Sequence, residues 1–285
     1  MDFRHISIQG VGEWNEDAVI FRQDLQIYGV VDGATSLIPY RSANGETGGR
    51  LASQLIKKYF DQLGVEDGHD LETHAKKANA KLGEEMRACG IRTDRKSELW
   101  TAALAAIRIH EHHVEYVQAG DCMVIATYRD GSVRVLTRDQ VAHIGEESLA
   151  IWKQRIEQGI HTKEELWDTV KSRLLQNKEK MNTPEGYSVL NGLPDADNYL
   201  EYGKINRIGL AGLLLATDGL FYPQPWPVQE DETGSPEERL LRRVVAEGLE
   251  GYAKWLLDLE QDDPECIRYP RFKRSDDKTG IWIRF

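Results

Sequence analysis

Acidic residues recur beside the ends of apolar, strand-like runs in this chain, and that placement limits what it can fold into. In order they are Asn15-Glu16-Asp17-Ala18, Val30-Val31-Asp32-Gly33, Ala119-Gly120-Asp121 and Ala216-Thr217-Asp218-Gly219. Asp276-Asp277-Lys278-Thr279 follows, just ahead of a last apolar run to Phe285. Taken singly, each is an ordinary turn or a solvated loop. Taken together, each acid abuts an apolar run and so belongs at a sheet rim rather than in open solvent. Hard divalent cations need several carboxylate oxygens in one place, and one sheet core can gather acids that are far apart in sequence. The joint pattern points to metal-dependent chemistry.

The runs between these acids set the fold class. Residues 4–9 and 17–31 alternate as half-buried strands, with a turn at Asp24. Helical spacing follows from about Glu46, where Leu51, Leu55, Ile56, Tyr59 and Leu63 define one apolar face, and again over 70–88. Strand patterning returns in Thr101–Ile109, Val114–Gln118, Met123–Tyr128 and Val133–Thr137, which reads as one antiparallel meander. Residues 146–180 are charged and helical, like an insertion, with Trp152 and Trp167 as core aromatics. A β block over Tyr199–Thr217, a helix over about 236–260 and a strand at Ile281–Phe285 complete the order. Long helices interrupting antiparallel strands make an α+β protein, not a βαβ repeat.

Composition narrows the function. The 285 residues are 40% hydrophobic, enough for a real core, and carry a formal net charge of -11. That charge argues against non-specific nucleic-acid binding, which needs a basic surface. The three cysteines, Cys89, Cys122 and Cys266, lack the spacing of a disulfide framework or zinc site and fit a reducing compartment. The N-terminus has no apolar signal core, and Leu210 to Ala216 is too short to span a bilayer, so a cytoplasmic location is expected. His110, His112 and His113 read as a polar hairpin turn. Cys122 reads as a small buried side chain, and Pro223 to Pro236 as a loop beside the Asp218 motif. The run Arg268, Arg271, Lys273 and Arg274 reads as a solvated basic face, or as a counterweight to the acids that could receive phosphorylated substrate.

In the order and spacing of these motifs the chain resembles the metal-dependent protein phosphatases of type 2C, the PPM family, over nearly its whole length. Asn15-Glu16-Asp17-Ala18 is similar to the family's Glu-Asp motif, and Val31-Asp32-Gly33 to its Val-Asp-Gly motif. Glu46 to Ser53 is similar to the start of its first long helix. Ala119-Gly120-Asp121-Cys122 and Leu136-Thr137-Arg138-Asp139-Gln140 match its Gly-Asp-Ser and Leu-Thr-x-Asp-His elements. Leu214 to Leu220 matches Leu-Ala-Ser-Asp-Gly-Leu, and Asp276 to Thr279 the terminal Asp-Asn-x-Thr.

The resemblance implies one domain over 1–285: a four-layer αββα sandwich with two central antiparallel sheets, and a variable flap at about 145–198. It implies two Mn²⁺ or Mg²⁺ ions held by Asp17, Asp32, Asp218 and Asp276, with the Gly33 carbonyl as a further ligand. Glu16 would act mainly through metal-bound water, and Asp121 would help Asp218 hold a third, weaker ion. The implied activity is hydrolysis of phosphoserine and phosphothreonine esters on proteins by water activated between two metals. The expected partner is a phosphorylated protein, with no nucleic acid or membrane, and the chain is expected to be a monomer. Two rival readings are a non-catalytic phosphoprotein-binding module and a metal-dependent phosphoesterase for a small molecule.

The chain also departs from the family pattern. Many members carry a phosphate-gripping arginine where this chain has Gly12, so Arg4, Arg22, Arg41 and Arg50 become candidates for that task. Ala34-Thr35-Ser36 stands where some members have a histidine general acid. Asp277 replaces the usual asparagine, and register favours Asp276 as the ligand.

Overall fold

The structure is a computed structural model that describes residues 1–34, 38, 40–227 and 233–285. Thr35, Ser36 and part of the loop read over Pro223 to Pro236 lie outside the described residues. The strands are β1 (Asp2–Ile8), β2 (Asp17–Arg22), β3 (Ile27–Ala34), β4 (Thr101–Ile109), β5 (His113–Ala119), β6 (Met123–Tyr128), β7 (Val133–Val135), β8 (Glu201–Asn206), β9 (Leu210–Ala216) and β10 (Lys278–Arg284). The helices are α1 (Gly48–Asp61), α2 (Leu71–Ala88), α3 (Ala142–Glu157), α4 (Lys163–Lys178) and α5 (Pro236–Gln261).

The strands form two five-stranded antiparallel sheets, ordered β1-β10-β9-β6-β7 and β2-β3-β4-β5-β8. Three apolar clusters correspond to the three interfaces between four layers. Ile56, Phe60, Leu71, Leu82 and Trp100 pack α1 and α2 onto the β2–β8 sheet. Val30, Ile107, Val124, Leu215 and Ile283 fill the space between the sheets. Leu214, Leu240, Val244, Leu249 and Leu256 pack α5 onto the β1–β7 sheet. The expected αββα sandwich is therefore present. Strands sandwiched this way are buried on both faces, as Ile27 to Val31 of β3 are.

Local chemistry sets the element ends. Thr47 caps α1 by accepting from the Arg50 amide, and Asp70 caps α2 by accepting from the Thr73 amide. Ser235 and Glu238 form a reciprocal capping box on α5. The α5 path breaks at Gly248, whose φ of 80° only glycine adopts easily.

The expected meander is corrected by the topology. β4 pairs with β5, but β6 pairs with β7 and β9 in the other sheet. The chain crosses between sheets at Gly120-Asp121, where Gly120 has a φ of +82° and a Cβ would collide with the Ala103 side chain. β8 and β9 are divided between the sheets in the same way. Periodicity reports which residues face a core but not which sheet a strand joins. The histidine segment is a tight hairpin, with the His110 amide donating to the His113 carbonyl at 2.9 Å.

Helices α3 and α4 pack on each other through a separate cluster of Trp152, Leu166, Val170 and Cys266, with Phe272 against it. No described helix is long and apolar enough to cross a membrane.

Candidate metal centre

The register of the two sheets gathers the acids. Asp17 of β2 lies directly opposite Asp32 of β3. Like charges so placed repel each other unless a cation or a proton lies between them. In the other sheet β6 runs antiparallel to β9 with Met123 opposite Ala216. Two residues beyond that pair stand Asp121, in the turn before β6, and Asp218, at the head of a short 3-10 helix after β9, near enough for the charge of Asp218 to act on Asp121. The end of β10 reaches the same rim, since Gly280 pairs with Ala216, and this brings in Asp276.

Side-chain bonds join the two sheets here. The Thr217 hydroxyl donates to Asp17 Oδ2 at 2.9 Å and accepts from the Thr279 amide at 3.0 Å. The buried Gln118 amide donates to the carbonyls of Gly120, Cys122 and Arg138, at 3.1, 2.9 and 2.6 Å, and so holds the crossing that presents Asp121. Thr217 and Gln118 were not singled out in the sequence, because neither differs in type from an ordinary core polar residue.

The electrostatics show carboxylates crowded without enough compensation. Burial, then the charges of Asp17, Asp218, Asp121 and Asp276, holds Asp32 well above the usual carboxylate range. Burial also raises Asp17, against the hydrogen bond from Thr217, and raises Asp121, with Asp218 adding to it. Asp218 is pushed up to about 6 by burial and by Asp276, with Lys273 opposing. The Lys273 ammonium lies inside this field, 2.7 Å from Asp276 Oδ1. Burial opposes its charge, but Asp276, Asp218 and Asp32 outweigh that and keep it firmly protonated. The basic run thus divides: Lys273 faces the acids, Arg271 binds Asp263 at 2.8 Å, and Arg274 pairs with Glu164 at 3.3 Å.

Asp276 and Asp277 have different environments. Asp277 is buried, and its carboxylate accepts from the Gly10 amide at 2.7 Å and the Glu16 amide at 2.6 Å. It ties the β1–β2 connection to the start of β10. Asp276 is half-buried and lines a cleft of about 250 Å³ with Gly12, Glu16, Arg41, Thr47 and Lys273. Glu16 turns one carboxylate oxygen toward the Thr47 hydroxyl at the head of α1. Gly33 and Gly49 approach so closely that a Cβ on either would strike the other's carbonyl, and the Gly33 carbonyl therefore lies against the start of α1.

Among the described residues, no three Asp, Glu, His or Cys side chains close into a ready-made cation cage. Asp17, Asp32, Asp121, Asp218 and Asp276 share one field instead, while Glu16 sits to the side with Thr47. The donor set still fits a hard divalent cation. All the donors are oxygens, they are buried or half-buried, and burial with the neighbouring charges raises the pKa of Asp17, Asp32, Asp121 and Asp218, which a bound cation would reverse. Thiol chemistry does not fit, because burial and the neighbouring acids push the Cys122 thiol well up.

The four candidate arginines separate clearly. Arg22 spends its guanidinium on Asp24 and on the carbonyls of Phe60, Asp61 and Leu63. Arg50 donates to the Asn15 carbonyl at 2.6 Å and lies over the Trp14 ring. Arg4 is exposed beside Asp2, and only Arg41 lines the cleft.

Comparison with known proteins agrees with this architecture. Residues 7–256 match the family model of protein phosphatase 2C. No curated protein matches the sequence. Among solved structures, the serine/threonine phosphatase Stp1 from Staphylococcus aureus is similar at 16% identity and a TM-score of 0.55, covering all of this chain and 94% of that one. The Mycobacterium tuberculosis serine/threonine phosphatase PstP/Ppp is similar at 19% identity and a TM-score of 0.56, covering 99% and 97%. The catalytic domain of PstP in complex with two manganese ions gives 19% and 0.56, covering 99% and 96%. At such identities these likenesses speak for the fold alone. The family model spans most of the chain, and its acids meet at one rim of the sandwich, so the chain belongs to the protein phosphatase 2C family.

Proposed function

We propose that this chain is a Mn²⁺- or Mg²⁺-dependent phosphatase that hydrolyses phosphoserine and phosphothreonine esters on proteins. The observation that carries the reading is the convergence of Asp17, Asp32, Asp121 and Asp218, from strand ends of both sheets, into one patch of mutually raised carboxylates. The family's manganese-containing structure supports the choice of ions. Asp17, Asp32, Asp218 and Asp276 would hold two ions, Glu16 and Gly33 would complete the set, and Asp121 with Asp218 would hold a weaker third. When bound, such ions lower the pKa of water and neutralise phosphate charge.

The chain's own residues do the positioning. Thr217 fixes Asp17 against the facing sheet, and Asp277 fixes the backbone of Glu16. The cleft beside Asp276 leaves room for a phosphoryl group and its ester oxygen. No side-chain nucleophile is required, in keeping with the buried, weakly acidic Cys122. The acidic chain favours a neutral or basic peptide around the phosphate over a polyanionic substrate. The remainder of the proposal is a single catalytic domain whose α3–α4 insertion borders the site, acting as a monomer in the cytoplasm.

The test is phosphate release from phosphothreonine and phosphoserine peptides and from small phosphate esters, each with and without Mn²⁺. Mn²⁺-dependent release from the peptides is expected. Turnover of small esters alone would move the substrate to a small molecule. Peptide binding by folded protein without release, at any Mn²⁺ or Mg²⁺ concentration, would make the chain a binding module.

A further inference from the structure

A phosphate monoester is a dianion, and a rim built of carboxylates needs cationic donors beside it to accept one. Gly12 lines the cleft without charge, which leaves Arg41 and Lys273 as its cationic lining. Arg41 is ion-paired to Glu13 at 2.9 Å, with both side chains about half exposed or more, so it belongs to the outer rim. Lys273 lies deeper. Its ammonium meets Asp276 at 2.7 Å while 42% of the side chain remains accessible. An ammonium has three donors, and the contact with Asp276 uses one.

Lys273 is also held firmly in place. Both oxygens of the buried Asp263 carboxylate organise the loop before it, accepting from the amides of Ile267, Arg268 and Tyr269 and from Arg271. Arg271 also donates to the carbonyls of Glu260 and Asp263. Phe272 meets the Trp152 ring of α3 edge-on, with centroids 5.8 Å apart. A long flexible side chain is thus presented from a braced backbone, which lowers the entropy lost when it grips an anion.

We propose that Lys273 is the group that receives the phosphoryl oxygens of a phosphate monoester in this cleft, with Arg41 as a weaker outer cation. This deepens the phosphatase reading, but the anion site it names can be tested without turnover. Inorganic phosphate binding is measured by calorimetry in the presence of Mn²⁺ on wild type, Lys273→Met, Lys273→Arg and Arg41→Ala, alongside Mn²⁺ binding and p-nitrophenyl phosphate kinetics. Lys273→Met is expected to weaken phosphate binding, and to raise KM, by about ten- to a hundredfold. Mn²⁺ affinity should hold or rise, since a competing cation has left Asp276. Lys273→Arg should recover most of the phosphate affinity, and Arg41→Ala should lose less than Lys273→Met. Lys273→Gln replaces the methionine variant if that one does not fold. Unchanged phosphate affinity in Lys273→Met or Lys273→Gln overturns the proposal, whatever happens to turnover. A kcat loss with phosphate affinity intact also overturns it, by assigning Lys273 to the metal ligands. If wild type shows no turnover, the phosphatase reading fails, yet the same phosphate titration still decides the role of Lys273.

Discussion

The site is assembled from two kinds of backbone, and they behave differently. Asp17 and Asp32 are placed by strand register, and Asp121 and Asp218 each stand two residues beyond a strand end, close to the last pair of the β6–β9 ladder. Asp276, Asp277 and Lys273 stand on a loop, where no ladder fixes them. That loop is held by side-chain bonds instead, through Asp277 to the Gly10 and Glu16 amides and through Asp263 to the loop's own backbone. The acids at the strand ends can therefore be crowded together, because the surrounding sheets supply the stability. The loop must use some of its acids as structure, and two adjacent aspartates divide the work.

The largest effect is expected from removing one acid at a strand end. Asp218→Asn should lower Mn²⁺-dependent turnover on the order of a thousandfold. The metal-free protein should melt no lower than wild type, because a repelled charge has gone. A large drop in melting temperature without metal would mean that the acids at the strand ends are structural after all.

The loop should respond in the opposite way. Asp277→Ala leaves the buried Glu16 amide and the half-buried Gly10 amide without acceptors and should cost about 2 to 4 kcal/mol of stability, seen as a lower denaturant midpoint without metal. Asp276→Ala should leave that midpoint nearly unchanged while weakening Mn²⁺ binding. Equal stability losses in the two variants would erase the division between them.

The smallest effect lies away from the site and serves as a control on the scaffold. His74 of α2 is buried, with Nδ1 3.1 Å from the Tyr59 hydroxyl and Nε2 without a partner. Burial lowers its pKa, with the positive charge of Arg108 adding to this and Asp67 opposing. The unfolded chain then takes up its proton first. The stability from neutral His74 is present above a pH of about 6.5 and is lost as pH falls from there toward the folded pKa. Melting curves at pH 7.5 and 5.5 should show this loss in wild type and a smaller one in His74→Gln. Equal losses in both would remove His74 as a contributor.

This division also explains what the sequence could reveal. The acids at strand ends were legible because the apolar runs beside them announce a rim, and α1 and α2 were legible from their apolar spacing. The exchange of β6 and β9 into the other sheet was not, since alternation carries no information about partners. Register favoured Asp276 over Asp277 as the ligand, while what gives the two their different environments, the Gly10 and Glu16 amides that hold Asp277, lies more than 260 residues away in sequence. Lys273 could be noticed only as one of four basic residues in a run. What separates it from Arg271 and Arg274 is that those two are spent on Asp263, Glu164 and nearby carbonyls.

Whether the acids at the strand ends make a metal-dependent phosphatase site is decided by p-nitrophenyl phosphate hydrolysis with and without Mn²⁺, on wild type and Asp32→Ala side by side. Release should require Mn²⁺ in wild type and be lost in the variant while the variant remains folded. Wild-type-like, metal-dependent release from folded Asp32→Ala would contradict it.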